Sequence, residues 1–178
     1  MDNKRITNTH ILCLGGGTGT ANLMKGLQQY TSSITVVLSM ADEGGSGGRL
    51  RRLYNIPLGD MVACLTALLP KNDPQIKELL TYRFPGDRYG KDDQLGGHKV
   101  GNLLLIATTQ LTGDFSQAVE MFKKMFHIQG NFLPATTEPV TISARTKEGK
   151  IVIGEETIDL GQYQGARVLD TVFLHPQN

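Results

Sequence analysis

His10–Tyr30 reads HILCLGGGTGTANLMKGLQQY. A short apolar run enters three glycines, and the glycines enter a segment in which Leu23, Met24 and Leu27 follow helical spacing. That order predicts a strand, a glycine turn and a helix. ITVVLSM, Ile34–Met40, follows as a continuous β-branched run of the kind a parallel strand buried on both faces requires. Two parallel strands joined by a helix make a right-handed βαβ unit. The expected class is therefore α/β, a Rossmann-like three-layer fold around a mostly parallel sheet.

Beyond this unit, PLGDMVACLTALLP predicts a helix opening at Pro57, and DPQIKELLTYRF another with proline at an early position. GGHKVGNLLLIATTQLTG predicts a third, apolar enough to be buried. DFSQAVEMFKKMFHIQG starts at an Asp114 cap, with Phe115, Val119, Phe122 and Phe126 as a core stripe. From Asn131 the period changes to two. VTISART and KIVIGEETI flank a Glu148-Gly149 turn as a β-hairpin near the C-terminus, and RVLDTVFLHP suggests one more strand. No repeat or linker divides the chain, so residues 1–178 read as a single domain.

With 178 residues, 39% of them hydrophobic and 20% charged, the chain can build one core without disulfides or structural metal. A net charge of +1 supplies no global basic field, which argues against a nucleic-acid partner. No run approaches about 18 apolar residues, so no membrane span is expected. MDNKRITNTH lacks the apolar centre of a signal peptide, and Cys13 and Cys64 sit in apolar runs as small buried hydrophobes. The expected location is cytoplasmic.

The 21 glycines concentrate in GGGTG, EGGSGG and LGGHKVG, each beside a periodic element. A strand entering a glycine turn that opens a helix aims backbone N–H groups and a positive helix end at one point, which suits a phosphate. GGGTGT is neither a G-x-G-x-x-G in register nor a P-loop. A tight turn with close helix–strand packing is the alternative. ADEGGSGGRLRR, Ala41–Arg52, adds carboxylates at Asp42 and Glu43 and a backbone able to wrap a ligand at Gly44, Gly45, Ser46, Gly47 and Gly48. Arg49, Arg51 and Arg52 then offer guanidinium forks for phosphate. A helix starting near Ser46 would put Arg49 and Arg52 on one face and point Arg51 elsewhere; a solvated basic turn is the other reading. Asp60 lies in the first turn of the next helix. It either compensates the dipole or joins Asp42 in an oxygen-rich Mg²⁺ site. His98, Lys99 and Asn102 begin another helix beside glycines. Thr136, Thr137 and Glu138 form the polar centre of LPATTEP, as ligand contacts or as a rigid turn. Asp42 also occupies the place of a ribose-binding acid, so a dinucleotide oxidoreductase is a rival reading.

In order, LGGGTGT, ADEGGSGGRLRR, PLGD, GGHKVGNLLL, LTGDF and LPATTEPVTISA resemble the successive signatures of the YvcK/CofD family, from about Ile11 to Arg145 and more loosely to the end. The resemblance implies a Rossmann-like fold with a ligand cleft at the strand C-termini. One branch of that family comprises Mg²⁺-dependent 2-phospho-L-lactate transferases of deazaflavin cofactor synthesis. The other comprises gluconeogenesis factors that bind UDP-sugars and support cell morphogenesis and envelope growth on gluconeogenic carbon. The segment running into GRLRR and then PLGD is similar to the second branch. By position, the resemblance makes Gly16, Gly17, Thr18 and Gly19 a phosphate cradle and gives Asp42 and Asp60 the metal-holding, catalytic positions of the transferases. It places Arg49, Arg52, His98 and Asn102 along the cleft. Three positions depart from the family pattern: Glu43 replaces an Asp, Gly47 replaces a Ser, and MVACL follows Asp60 in place of an Arg-Asn pair. Relatives of this kind continue well past Asn178. The chain is therefore expected to be the N-terminal portion of the fold, with part of the pocket supplied elsewhere and a homodimer through an exposed sheet edge conceivable.

Overall fold

A computed structural model describes residues 9–42, 44–56, 58, 60–71, 73–86, 95–138, 140–161 and 169–176. Strand β1 (Ile11–Gly15) leads through Gly16 into α1 (Gly17–Leu27), and β2 (Ile34–Leu38) follows. Five helices come next: α2 (Gly45–Tyr54), α3 (Met61–Ala67), α4 (Pro74–Thr81), α5 (Val100–Thr112) and α6 (Phe115–Met125). Strand β3 (Asn131–Pro134) then returns beside β2, giving a parallel sheet of order β1-β2-β3. Beyond it, β4 (Val140–Thr146), β5 (Ile151–Ile153), α7 (Glu155–Asp159) and β6 (Leu169–Pro176) form an antiparallel unit of order β5-β4-β6. The parallel α/β arrangement and the C-terminal hairpin are thus both present.

Local signals set the boundaries. Asp73 accepts the N–H of Ile76 with Pro74 at the first helical position of α4, and Asp114 accepts that of Gln117 to cap α6. Gly113, at φ 69°, closes α5 in the left-handed conformation that glycine adopts without penalty. Helix α3 begins at Met61, while Pro57, where it was expected to open, lies outside the described residues. The second arm of the hairpin is shorter than its alternation suggests. After Ile153, Gly154 turns at φ 97°, and Glu155 and Glu156 open a helix in place of the expected strand residues.

Helices α1, α3 and α6 pack against one face of the sheet, and α4 and α5 pack on those helices. Met24 of α1, Met61 and Leu65 of α3, Leu80 of α4, Leu105 of α5 and Phe122 of α6 are fully buried in one core with Cys13, Ile34, Val36, Leu38 and Phe132 of the strands. Successive right-handed crossovers that advance in one direction, β1 to β2 to β3, put their helices on the same side. The packing is close: a methyl group on Gly101 would lie 2.5 Å from Val62 Cγ1 and 2.8 Å from the Leu80 carbonyl oxygen, so glycine alone lets α5 approach α3 and α4. Phe115, Val119 and Phe122 of the α6 stripe are buried and Phe126 packs at its margin. Helix α5 is only part-buried, with Leu111 turned outward.

Candidate functional site

The C-terminal ends of β1 and β2 each enter a glycine turn that opens a helix. Gly16 is the N-cap of α1 and Gly44 that of α2, both extended and neither closed by a side-chain cap. The next residues, Gly17 at φ 72° and Gly45 at φ 55°, use a conformation other residues enter at a cost. Gly16, Thr18 and Gly19 are exposed, while Gly17 is half-buried. Two helix ends with uncommitted caps on adjacent parallel strands give two sets of N–H donors and two positive dipole ends at one edge of the sheet. The glycine stretches expected to cradle phosphate thus lie at these two helix starts.

A carboxylate stands by each turn. Asp60 Oδ2 lies 3.7 Å from where a β-carbon on Gly17 would be, so Asp60, at the N-cap of α3, faces the first turn. Asp42 Oδ1 accepts the Gly44 N–H at 2.9 Å, and Glu155 Oε2 lies 3.5 Å from a β-carbon position on Gly44, so both attend the second turn. Glu155 belongs to α7, which the strand reading of KIVIGEETI concealed. Asp60 also bears on the core below it. Burial above all, then the negative charge of Asp60 and the neighbouring Cys13, push the Cys64 thiol up from 9.0 to about 12. Among the described residues, no group of three or more His, Cys, Asp or Glu side chains gathers to hold a metal ion. Asp42 and Asp60 are nevertheless hard oxygen donors, and Mg²⁺ commonly takes one or two carboxylates with the rest of its shell from phosphates and water. Their donor chemistry suits such an ion.

Of the remaining expected residues, some meet at α2 and others do not. Asn102, in the first turn of α5, brings Nδ2 to 3.9 Å from a β-carbon position on Gly47. Ser46 is buried and its hydroxyl accepts a bond from Arg83 at 3.0 Å, while Arg83 also donates to the Gly97 carbonyl. Arg49 is buried and donates to the Gly96 carbonyl, so it ties α2 to the glycine segment that leads into α5. His98 is buried in that same segment, its backbone bonded to Phe84 and Leu95. Thr136 sits just past the end of β3, accepting the Glu138 N–H at 3.0 Å in a local turn. Arg52 is exposed and borders a cavity of about 420 Å³ between α2 and the antiparallel unit, with Asn55, Thr141 and Glu156. It is therefore not on the buried face that holds Arg49.

Arg51 is the residue that sequence spacing undervalues. It is 4% exposed and donates to the carbonyls of Met40 at 2.9 Å, Asp42 at 3.3 Å and Val140. Those acceptors are the exit of β2 and the first residue of β4, so one guanidinium fastens the loop carrying Asp42 to the second sheet. Its partner Val140 is 89 residues away, which no local pattern reveals.

Residues 11–178 match the family described as 2-phospho-L-lactate transferase CofD. The gluconeogenesis factor of Bacillus subtilis is 38% identical over 167 residues, which is 94% of this chain and 50% of that protein. The gluconeogenesis factor of Listeria monocytogenes is 34% identical over 176 residues, 98% of this chain and 52% of that protein. A crystal structure of a UPF0052 family member from Bacillus halodurans superimposes with a TM-score of 0.80 at 34% identity, over 96% of this chain and 52% of that one. The chain spans about half the length of the relatives it matches. The match runs through both glycine turns, Asp42, Asp60 and the LPATTEP segment, and by it the chain belongs to the YvcK/CofD family.

Proposed function

We propose that this chain supplies the diphosphate grip of a cytoplasmic, nucleotide-sugar-binding gluconeogenesis factor, acting in cell morphogenesis and envelope growth on gluconeogenic carbon. The observation that carries the reading is the pair of helix N-termini, at Gly16 and Gly44, open on adjacent parallel strands with no side-chain cap. A diphosphate has two charged groups a few ångströms apart, and two such ends offer one donor set to each. The names carried by the Bacillus subtilis and Listeria monocytogenes relatives support the regulatory branch. In this reading Asp42, Asn102 and Thr136 contact the nucleoside or sugar. Nucleic acid is not the partner this local, weakly charged site suits.

A second reading, a Mg²⁺-dependent phosphoryl-linked group transferase, draws on Asp42 and Asp60 beside the two turns. Mg²⁺ bound there would neutralise diphosphate charge, and the two carboxylates would be its protein ligands. Calorimetric titration of the chain with UDP-glucose, with and without Mg²⁺ and with NAD as control, separates the readings. Saturable binding that is independent of metal is the result expected of a regulator. Binding that requires Mg²⁺ and is abolished by Asp42→Asn would transfer the assignment to the transferase. Preference for NAD would sink both.

A further inference from the structure

The cavity of about 420 Å³ between α2 and the antiparallel unit falls within the range of about 300–1,000 Å³ that small-molecule sites occupy. Its lining includes neither glycine turn; α2 contributes residues from Gly48 to its C-cap, Asn55. Arg51 is committed to the Met40, Asp42 and Val140 carbonyls and gives the wall a buried positive charge. The side chains of Arg52 and Asn55, and of Glu156 and Thr157 on α7, form no hydrogen bond or ion pair among the described residues, although all four border the same space. Strand β4 forms the floor. Thr141 there is 4% exposed, and Ser143, 1% exposed, keeps a hydroxyl with no hydrogen-bond partner. Residues two apart on a strand, and residues paired across an antiparallel ladder, share a face. Thr141 precedes Ser143 by two, Ile153 is its partner on β5, and both border the cavity, so Ser143 lies on the face that forms the floor. A buried hydroxyl left unsatisfied costs about 1–3 kcal/mol, a penalty that a bond to a ligand removes.

We propose that this cavity is a binding site for a phosphorylated polyol, such as a hexose monophosphate, separate from the diphosphate grip at the glycine turns. Arg52 offers its guanidinium fork to the phosphate, and the buried charge of Arg51 adds to the attraction. The Glu156 carboxylate, the Asn55 amide and the hydroxyls of Thr141, Thr157 and Ser143 suit the hydroxyl groups of a polyol, which both donate and accept. An aromatic or aliphatic ligand fits poorly, because Ile153 is the one large apolar side chain among the described lining residues. A nucleotide base meets the same lack of apolar surface. A small amino acid can set its carboxylate on Arg52 and its ammonium on Glu156, but it brings no set of hydroxyls to the floor.

Titration calorimetry of the chain with glucose 6-phosphate tests the proposal, with inorganic phosphate, glucose and alanine titrated in parallel. No nucleotide takes part, so the result stands apart from the reading of the glycine turns. Glucose 6-phosphate should bind saturably and at least about 10-fold more tightly than each of the other three. Arg52→Gln should weaken that binding at least about 10-fold. Ser143→Ala should weaken it about 5-fold or more while the Tm of the free chain stays equal or rises, since the change deletes an unsatisfied buried hydroxyl. A hydroxyl that only fills space would leave the affinity unchanged. Lys77→Gln, at a different cavity beside α4, should bind as wild type and controls for general attraction of anions. Absence of saturable binding up to about 10 mM, equal affinity for inorganic phosphate or alanine, or wild-type affinity in Arg52→Gln or Ser143→Ala would overturn the proposal. A loss in Lys77→Gln as large as that in Arg52→Gln would also overturn it, by moving the anion out of this cavity.

Discussion

Replacing Arg51 with methionine keeps a long apolar stem in α2 and removes the guanidinium. Three backbone carbonyls, those of Met40, Asp42 and Val140, lose a charged donor in a place water reaches poorly. A bond to a charged donor contributes about 1.5–3 kcal/mol, and the low end applies because the Asp42 carbonyl is only part-buried and its bond is long. The loss is then roughly 4–5 kcal/mol, a large share of the 5–15 kcal/mol typical of a folded domain. For a chain of this size each kcal/mol moves Tm by about 2–4 °C, so the melting temperature should fall by roughly 8–20 °C. Thermal unfolding followed by far-UV circular dichroism gives the number, with a urea titration to confirm that cooperativity is kept. Arg52→Met is the matched control. Arg52 is exposed, and its removal should cost under about 1 kcal/mol. A drop of less than about 3 °C for Arg51→Met, or equal drops for the two variants, would refute the reasoning that Arg51 joins the two sheets.

Gly17→Ala should weaken UDP-glucose binding at least about 10-fold while destabilising by only about 1–2 kcal/mol, since φ 72° strains alanine and its methyl group would stand beside Asp60. Titration calorimetry and a urea midpoint on the same variant check the two parts. Gly101→Ala should destabilise by about 3 kcal/mol or more and leave the glycine turns untouched, because the Leu80 backbone beneath it cannot yield easily. A urea titration measures that loss. Cys64 provides a pH signature. Its thiol, near 9.0 when unfolded and about 12 when folded, favours the folded state through its protonated form. That contribution is complete below pH 9 and is lost as pH rises towards 12. Wild-type stability should therefore fall more steeply than that of Cys64→Ser between pH 9 and 11 in urea titrations, and parallel curves would contradict it.

The parts of this protein that announce themselves in sequence are those set by near neighbours. HILCLGGGTGT gives β1, its turn and the start of α1 because apolar run, glycine cluster and helical spacing are contiguous. Asp73 and Asp114 cap helices three residues ahead, and Glu148-Gly149 turns the hairpin within one short window. What escaped depends on distance along the chain or on which way a helix is rotated. Spacing put Arg49 and Arg52 on one face and set Arg51 apart, yet Arg49 and Arg51 are buried and Arg52 is exposed. The rotation of α2 is fixed by the carbonyls of β4 and of the segment before α5, invisible from within ADEGGSGGRLRR. Likewise Arg83 finds Ser46 across 37 residues, and Glu155 approaches Gly44 only because α7 interrupts an apparent strand. That Met24, Met61 and Phe122 all meet the same face of the sheet follows from strand order, which periodicity does not encode.

The strand order also prescribes a sequence of folding events. Ile11 and Ile34, paired between β1 and β2, are separated by 23 positions, whereas the Thr35–Asn131 bond between β2 and β3 spans 96. Closing the longer loop costs roughly 1.2 kcal/mol more if the chain is flexible, and five helices must first find their places within it. The β1–α1–β2 unit is thus the segment suited to form early, with β3 docking late. Both glycine turns ride on the early pair, while Thr136 travels on the late strand. The turn at Gly16 is therefore set by short-range contacts, whereas α2 at Gly44, held through Arg49 and Arg51 by partners 47 and 89 residues away, takes its final place only with the late closure.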